Sequence, residues 1–400
     1  MRSITRRVSA ALLGLASSLA LAVVGTQPAG ASNLAVPAFD HIFTILMENH
    51  SYSEIIGDPT NAPYLQSLAT TYGLGSNRFA VSHPSLPNYL ALTGGSTFGV
   101  TTDCNPSTCT QNQPNIAADR IVPAGKTWKA YLESMPSNCS LSDSGEYAVR
   151  HNPFVYYTDI QTTAQCNNDV PYTQFTTDIQ SASTTPNYAW ITPNLINDMH
   201  DGTIAQGDTW LSQNVPTILN SPAFKTQNSL LDIVWDEDDS TQNNQVPEIV
   251  ITSGMVNGTA NKPYDSFEQD NHYSYLHTIE SAWNLAPLTS NDSGASPESD
   301  YFGAPSNYPS APPRPTATAN KHRTATVTWT PPSNSGACAI TNYSVATSPL
   351  TVGTVTVTGT TATISGLTTG TTYTFSVAAN NCDGSSPLST SSNPPIVAKR

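Results

Sequence analysis

Several residues of this chain have types and spacings that could do chemistry. In HPSLPNYLALTGG, Ser85 stands immediately ahead of Leu86, Pro87, Leu90 and Leu92, apolar residues at helical spacing. Two readings of Ser85 are open. It could be a helix N-cap, with Pro87 tolerated in the first turn. It could also be a nucleophile, because a hydroxyl at a helix N-terminus lies where backbone amides and the macrodipole favour an anion such as phosphate. Three further clusters bear on the choice. HIFTILM runs into Glu48, Asn49, His50 and Ser51; YAWITP runs into Asn194, Asp198, His200 and Asp201; LLDIVW runs into Asp236, Glu237, Asp238 and Asp239. Concentrated carboxylates repel one another, and the usual remedy is a cation or a shared proton.

The elements that must position these residues follow from periodicity. HIFTILM, YAWITP, LLDIVW and EIVIT are apolar, β-rich runs, and they alternate with segments that can form helices, such as APYLQSLATTYG and SYLHTIESAWNL. That alternation predicts α/β layers, in which ligands collect at the carboxyl ends of the strands. Three strands would then deliver the carboxylates and carboxamides of these clusters to one edge of one sheet. Trp190 and Trp235, inside predicted strands, read as core. His41 reads as structural, His50 and His277 as surface or core fillers, and His83 as either a loop-ordering residue or part of the site.

Composition sets the limits. The chain has 400 residues, enough for two or three domains. Residues 1–31 combine a basic start (Arg2, Arg6, Arg7), an apolar run and the small-residue site Ala29-Gly30-Ala31, the pattern of a cleaved secretory signal peptide. The formal charge is −14, and without the three leader arginines 12 basic residues face 29 acids, giving −17. Nucleic acid and anionic membrane surfaces are therefore excluded as general partners. No later apolar run has the length of a membrane span, so stable membrane insertion is not expected. Six cysteines in an exported chain suggest disulfides rather than zinc. The pairs expected are Cys104–Cys109, Cys139–Cys166 and Cys338–Cys382, the first two chosen among three connectivities.

Composition changes near residue 303, where GAPSNYPSAPPRPTAT is rich in proline, alanine and serine. Residues 303–315 read as a linker between a catalytic domain at 32–302 and a second domain at 316–400. The short alternating runs beyond it, with Trp329, Tyr343, Leu367, Gly370, Tyr373, Phe375 and Val377, resemble a fibronectin type III domain, an all-β immunoglobulin-like sandwich. Tyr373 would be its corner tyrosine. Such domains commonly act as spacers or as binding modules, here for a polysaccharide or cell surface.

In the catalytic part, MENHSYSEIIG, HPSLPNYLALTGG, YAVRHNPFVYY, ITPNLINDMHDGTIAQGDTWL, IVWDEDDS and DNHYSYLHTIESAWNL, in this order, resemble the bacterial phosphoesterase family. That family contains phospholipases C and secreted acid phosphatases, including phosphatases of phosphoinositide monophosphates, within the alkaline-phosphatase-like superfamily. The resemblance spans about 40–290 and implies an alkaline-phosphatase-like sheet flanked by helices and a phosphate-ester substrate. It implies Glu48 with Asn49 and Asp236 with Glu237 as metal-binding pairs, and Ser85 as a nucleophile that also touches the metal. His200, His272 and His151 would face the phosphate. The polar stretch WDEDDSTQNNQVPEIV departs from the phospholipase members, which have a longer glycine-rich segment there.

The chemistry fits this resemblance. Glu48, Asn49, Ser85, Asp236 and Glu237 are oxygen donors, a set that favours a hard divalent cation such as Ca²⁺, Mg²⁺ or Mn²⁺. A second metal using His200 and His272, with Asp198 nearby in sequence, is a further option. The expectation is a secreted metal-dependent phosphatase working through a phosphoserine, with a phospholipase C as the alternative. A non-enzymatic adhesin or carbohydrate-binding protein would leave the acidic constellation without a role, and a glycosidase would leave Ser85 without one.

Overall fold

A computed structural model describes residues 36–254, 263–302, 309–332, 335–336, 338–349, 353–382, 386 and 388–399. The leader assigned to residues 1–31 and residues 303–308 of the linker lie outside the described residues.

Nine strands form one mixed sheet: β1 (His41–Met47), β2 (Gly73–Phe79), β3 (Trp128–Leu132), β4 (Asp169–Pro171), β5 (Tyr188–Thr192), β6 (Ser229–Trp235), β7 (Gln245–Thr252), β8 (Tyr264–Ser266) and β9 (Asp270–Asn271). Their order is β4-β3-β5-β1-β6-β7-β2-β8, with β9 also paired to β2. The run β4-β3-β5-β1-β6 is parallel throughout. β7 is antiparallel to both β6 and β2, so β2 points the same way as the central strands, and β8 and β9 run parallel to it. The carboxyl ends of β1, β2, β5, β6 and β9 therefore meet along one edge, as the apolar runs predicted for β1, β5 and β6.

Every residue of β1, β5 and β6 is buried, as expected for parallel strands covered on both faces. Alternate side chains enter two cores. Ile42, Leu46, Trp190 and Val234 pack on one face; Phe43, Ile45, Met47, Ile191 and Trp235 pack on the other. Four helices matter for the site: α1 (Pro63–Thr71), α2 (Ser85–Gly94), α3 (Ile204–Leu219) and α4 (His272–Ala282). α2 is buried at every position, and Gly95 ends it in the left-handed conformation that glycine tolerates. α3 starts on a capping box made by Thr203 and Gln206, α4 on the side chain of Asn271. His41 bonds to the Pro186 carbonyl and to Gln227, which confirms a structural role.

The C-terminal region is all-β. Strands β10 (Thr316–Asn320), β11 (Thr324–Thr328), β14 (Thr361–Ile364) and β13 (Val355–Thr358) make one sheet, and β12 (Asn342–Ser348), β15 (Thr372–Asn380) and β16 (Ile396–Val397) the other. Val327, Trp329, Leu367, Phe375 and Val377 fill the core of this region. Trp329 falls one residue beyond β11 rather than within it. The Tyr373 hydroxyl accepts the Thr368 amide at 3.1 Å, the bond expected of a corner tyrosine. All three expected disulfides are present.

One buried ion group ties the far side of the sheet together. Arg78 of β2 donates through Nη1 to Glu248 of β7 and to Glu298, all three buried. Tyr301 donates to the second Glu248 oxygen at 3.1 Å. Burial raises both carboxyl pKa values and the guanidinium opposes the rise. Arg78→Ala would strip the cation from two buried acids, and is expected to destabilise the fold by about 3–5 kcal/mol in urea unfolding; a loss below about 1 kcal/mol would count against this account.

Candidate active site

The strand ends bring the acids together. Glu48 follows β1, Asp198 lies in the loop after β5, and Asp236 follows β6; all three are fully buried. Burial is the main cause that raises each carboxyl pKa. For Glu48, the neighbouring Asp236 and Asp198 add to the rise, and Asp236 is pushed up to about 7. Asp236 Oδ1 accepts the Asn49 amide at 3.2 Å, while its buried Oδ2 has no hydrogen-bond partner. Asn49 thus enters the group through its backbone, which takes a left-handed φ of 53°.

α2 faces this group with its first turn. Ser85 is the first helical residue rather than the cap, and the structure contains no side-chain cap bond there. Its Oγ instead donates to Glu48 Oε2 at 3.1 Å. One turn on, Tyr89 donates to Glu48 Oε1 at 2.5 Å. Asn88, between them on the same face, donates to Glu237 Oε2 at 3.1 Å and also to the Ser82 carbonyl at 2.9 Å. The loop ahead of the helix is held from the other side by Asn244, which donates to the same Ser82 carbonyl. The polar stretch after Asp236-Glu237 is a tight turn around Asp238, whose carboxylate accepts the amides of Ser240, Gln242 and Asn244.

The histidines separate into three environments. His151 is buried, its ring stacked on Tyr89 with centroids 5.5 Å apart. Its Nδ1 lies 3.1 Å from Asp198 Oδ2 and its Nε2 lies 3.3 Å from Glu48 Oε1. Burial holds its pKa well below the usual range. Its buried Nε2 has no hydrogen-bond partner. His200 faces a cleft of about 370 Å³ lined by Asp103, Asn105, Asp143, Val149, Arg150 and His200. Its Nδ1 sits 2.6 Å from Asp201, and Arg150 donates to its Nε2 at 3.2 Å.

His272 is fully buried; its Nε2 donates to the backbone carbonyl of Asp236 at 2.6 Å, its Nδ1 has no hydrogen-bond partner, and burial pushes its pKa down to about 3. It packs behind the strand end because it opens α4 directly from β9. Glu237 is also set apart. His83 Nδ1 and Asn88 both reach its Oε2 at 3.1 Å, while His83 Nε2 meets Asp238 at 3.1 Å. Burial raises the Glu237 pKa to about 9, with Asp236 adding to the effect.

Glu48, His151 and His200 each offer an atom within 4.8 Å of the others, which could hold a metal ion. This trio overlaps the expected oxygen set only at Glu48. The orphaned Asp236 Oδ2 and His151 Nε2 point to the same need, since buried polar atoms without partners are uncommon. The residues present therefore fit a divalent cation. A larger groove of about 600 Å³, walled by Tyr172 and Trp210, contains none of these groups.

Sequence reasoning missed Tyr89, Asn88, Arg150 and Asp103. Tyr89 and Asn88 had a usable signal, lying four and three residues after Ser85 on one helix. Arg150 adjoins His151, and Asp103 adjoins Cys104, but nothing in their spacing pairs one with the other.

With this geometry known, the chain can be compared with known proteins. The phosphoesterase family matches residues 58–286, and the fibronectin type III domain matches residues 310–394. The phosphatidylinositol-3-phosphatase of Mycobacterium tuberculosis is 37% identical over 309 residues, 76% of this chain and 97% of that protein. An acid phosphatase of Aspergillus fumigatus is 29% identical over 290 residues, 70% of this chain. The chain spans 63% of that fungal protein's length. Among solved structures, a protein in the alkaline phosphatase superfamily from Vibrio parahaemolyticus aligns over 75% of this chain and 79% of its own, with 10% identity and a TM-score of 0.44.

The bond from Tyr89 to Glu48 can be weighed directly. Tyr89→Phe keeps the ring stack on His151 and removes one donor from a buried carboxyl. It is expected to cost about 1–3 kcal/mol in urea unfolding, more than an exposed hydroxyl would. An unchanged midpoint would show that Glu48 does not depend on this donor.

Proposed function

The chain belongs to the phosphoesterase family, and on that premise we propose that it is a secreted, metal-dependent phosphatase that cleaves phosphomonoesters through Ser85. The observation that carries the reading is the 3.1 Å bond from Ser85 Oγ to Glu48 at the start of α2, beside the carboxylates of three strand ends. A cap serine would spend its oxygen on its own helix; this one is turned toward a buried acid that can take its proton.

Glu48, Asn49, Ser85, Asp236 and Glu237 are the proposed ligands, with His151 and His200 beside Glu48 as candidates for a second position. A hard cation held there supplies charge neutralisation for the phosphate and a lower pKa for the serine hydroxyl. The protein's own groups do the rest. Glu48 Oε2 holds the Ser85 proton while Oγ forms a bond to phosphorus. As the ester O–P bond breaks, His200, kept in orientation by Asp201, would give a proton to the departing alkoxide from Nε2, which requires that Arg150, its donor in the empty enzyme, has turned to the phosphate and that Nε2 has taken up a proton. Water then attacks the phosphoserine and gives its proton to His200, while the Ser85 Oγ–P bond breaks and Oγ takes back the proton held by Glu48. His272 is assigned a positioning role, holding the Asp236 main chain.

The relative named as a phosphatidylinositol-3-phosphatase supports phosphoinositide monophosphates as one substrate class. Secretion is supported by the leader composition and by three disulfides.

Ser85→Ala is expected to lower turnover of p-nitrophenyl phosphate by at least about a thousandfold with the fold intact. Mass spectrometry of quenched wild-type enzyme should find phosphate on Ser85. Diacylglycerol release from phosphatidylcholine without monoester turnover would instead make the enzyme a phospholipase C.

Exhaustive chelation should abolish activity, and Ca²⁺, Mg²⁺ or Mn²⁺ should restore it. Glu48→Gln and Asp236→Asn are each expected to raise the cation concentration needed for half-restoration by about ten- to a hundredfold. Full activity in metal-free buffer would refute the metal assignment.

A further inference from the structure

The groups best placed to receive a phosphate at Ser85 are already occupied by a side chain of the protein. The amide of Leu86, next to Ser85 and in the first turn of the ten-residue α2, donates to Asp103 Oδ1 at 3.0 Å. The other Asp103 oxygen lies 3.9 Å from Arg150 Nε, and Arg150 in turn donates to His200 at 3.2 Å. A helix-start amide and a guanidinium are the usual partners of a bound phosphate, and here they hold a carboxylate between them. Asp103 lines the same cleft as Arg150 and His200.

Its position is built in. Cys104, the next residue, is disulfide-bonded to Cys109, and the Cys104 carbonyl accepts the Tyr156 hydroxyl at 2.8 Å. The Asp103 side chain is 31% exposed and that of Arg150 22%, so both have room to turn aside.

We propose that Asp103 is a specificity-determining residue that stands in for the substrate phosphate: its carboxylate occupies the Leu86 amide and Arg150 in the empty enzyme and must be displaced when a phosphate ester binds. This rests on the reading of Ser85 as the residue that attacks phosphate. Arg150 is then a substrate-binding residue that exchanges one anion for another. The competition weakens the binding of phosphate, product included, and so favours release after each turnover. Two like charges in neighbouring positions, partly solvated, repel strongly enough to change affinity by about tenfold, which sets the size of the effect.

Binding of inorganic phosphate, measured by calorimetry on the full-length enzyme and as competitive inhibition, tests this. Asp103→Asn keeps an acceptor for the Leu86 amide and removes the charge. It is expected to bind phosphate roughly tenfold more tightly and to lower KM by a similar factor. Asp103→Ala should change affinity in the same direction, and Arg150→Ala should weaken phosphate binding. Unchanged or weaker phosphate binding in both folded Asp103 variants would overturn the proposal, as would a fall in kcat at constant KM, which would make Asp103 a positioning residue for Arg150. Failure of the phosphatase reading is read separately, as no phosphate release from p-nitrophenyl phosphate by the wild type.

Discussion

The structure depends on how it manages negative charge that it has buried. Parallel strands end together, and the segments that follow three of them hold Glu48, Asp198 and Asp236; among the described residues no arginine or lysine makes an ion pair with any of them. Like charges at that depth cannot all stay ionised in a low-dielectric surrounding. The raised carboxyl pKa values and the unpartnered Asp236 oxygen are consequences of that placement.

A second buried acidic group in the same sheet shows the contrast. Asp232, Glu248 and Glu298 are also close enough to share a cation, but Arg78 lies among them and donates to two. That group has its counter-charge fixed in the sequence, as a structural ion pair must. The group at the carboxyl edge has donors instead: a serine, a tyrosine and backbone amides, none of which supplies positive charge. A site meant only to hold the fold together would be better served by an arginine.

α2 connects this charge to chemistry because its geometry is rigid. Ser85 and Tyr89, four residues apart, reach the two oxygens of one carboxyl group, and Asn88 reaches Glu237. The side chains are fixed by helix pitch and by complete burial, so the serine hydroxyl is held at one place relative to the acids without a flexible loop. The same helix start offers the Leu86 amide outward, where Asp103 meets it.

Much of this was determined by the sequence alone. The all-buried strands show as uninterrupted apolar runs, because both faces of a parallel sheet are covered. The clusters that contain Glu48, Asp198 and Asp236 could be placed at one edge because each follows such a run. The type III pattern and Tyr373 were legible from local periodicity; of the cysteine pairs, Cys338–Cys382 followed from the division of the chain, whereas the other two were chosen among three connectivities. What the sequence left open were relations across long separations. Whether Ser85 would cap its helix or turn to Glu48 depended on the order of strands, which sets β1 two places from β7 and brings α2 over its end. His272 was expected to face the phosphate, and it is the start of α4 from β9, close to β6, that sets its ring against the Asp236 carbonyl. Asp103 and Arg150 are separated by 46 intervening residues. Only the packing of the disulfide loop against the 3₁₀ segment Pro153–Tyr156, just after Arg150, brings their charges face to face, since attraction between side chains depends on distance in space and leaves no periodic trace in the chain.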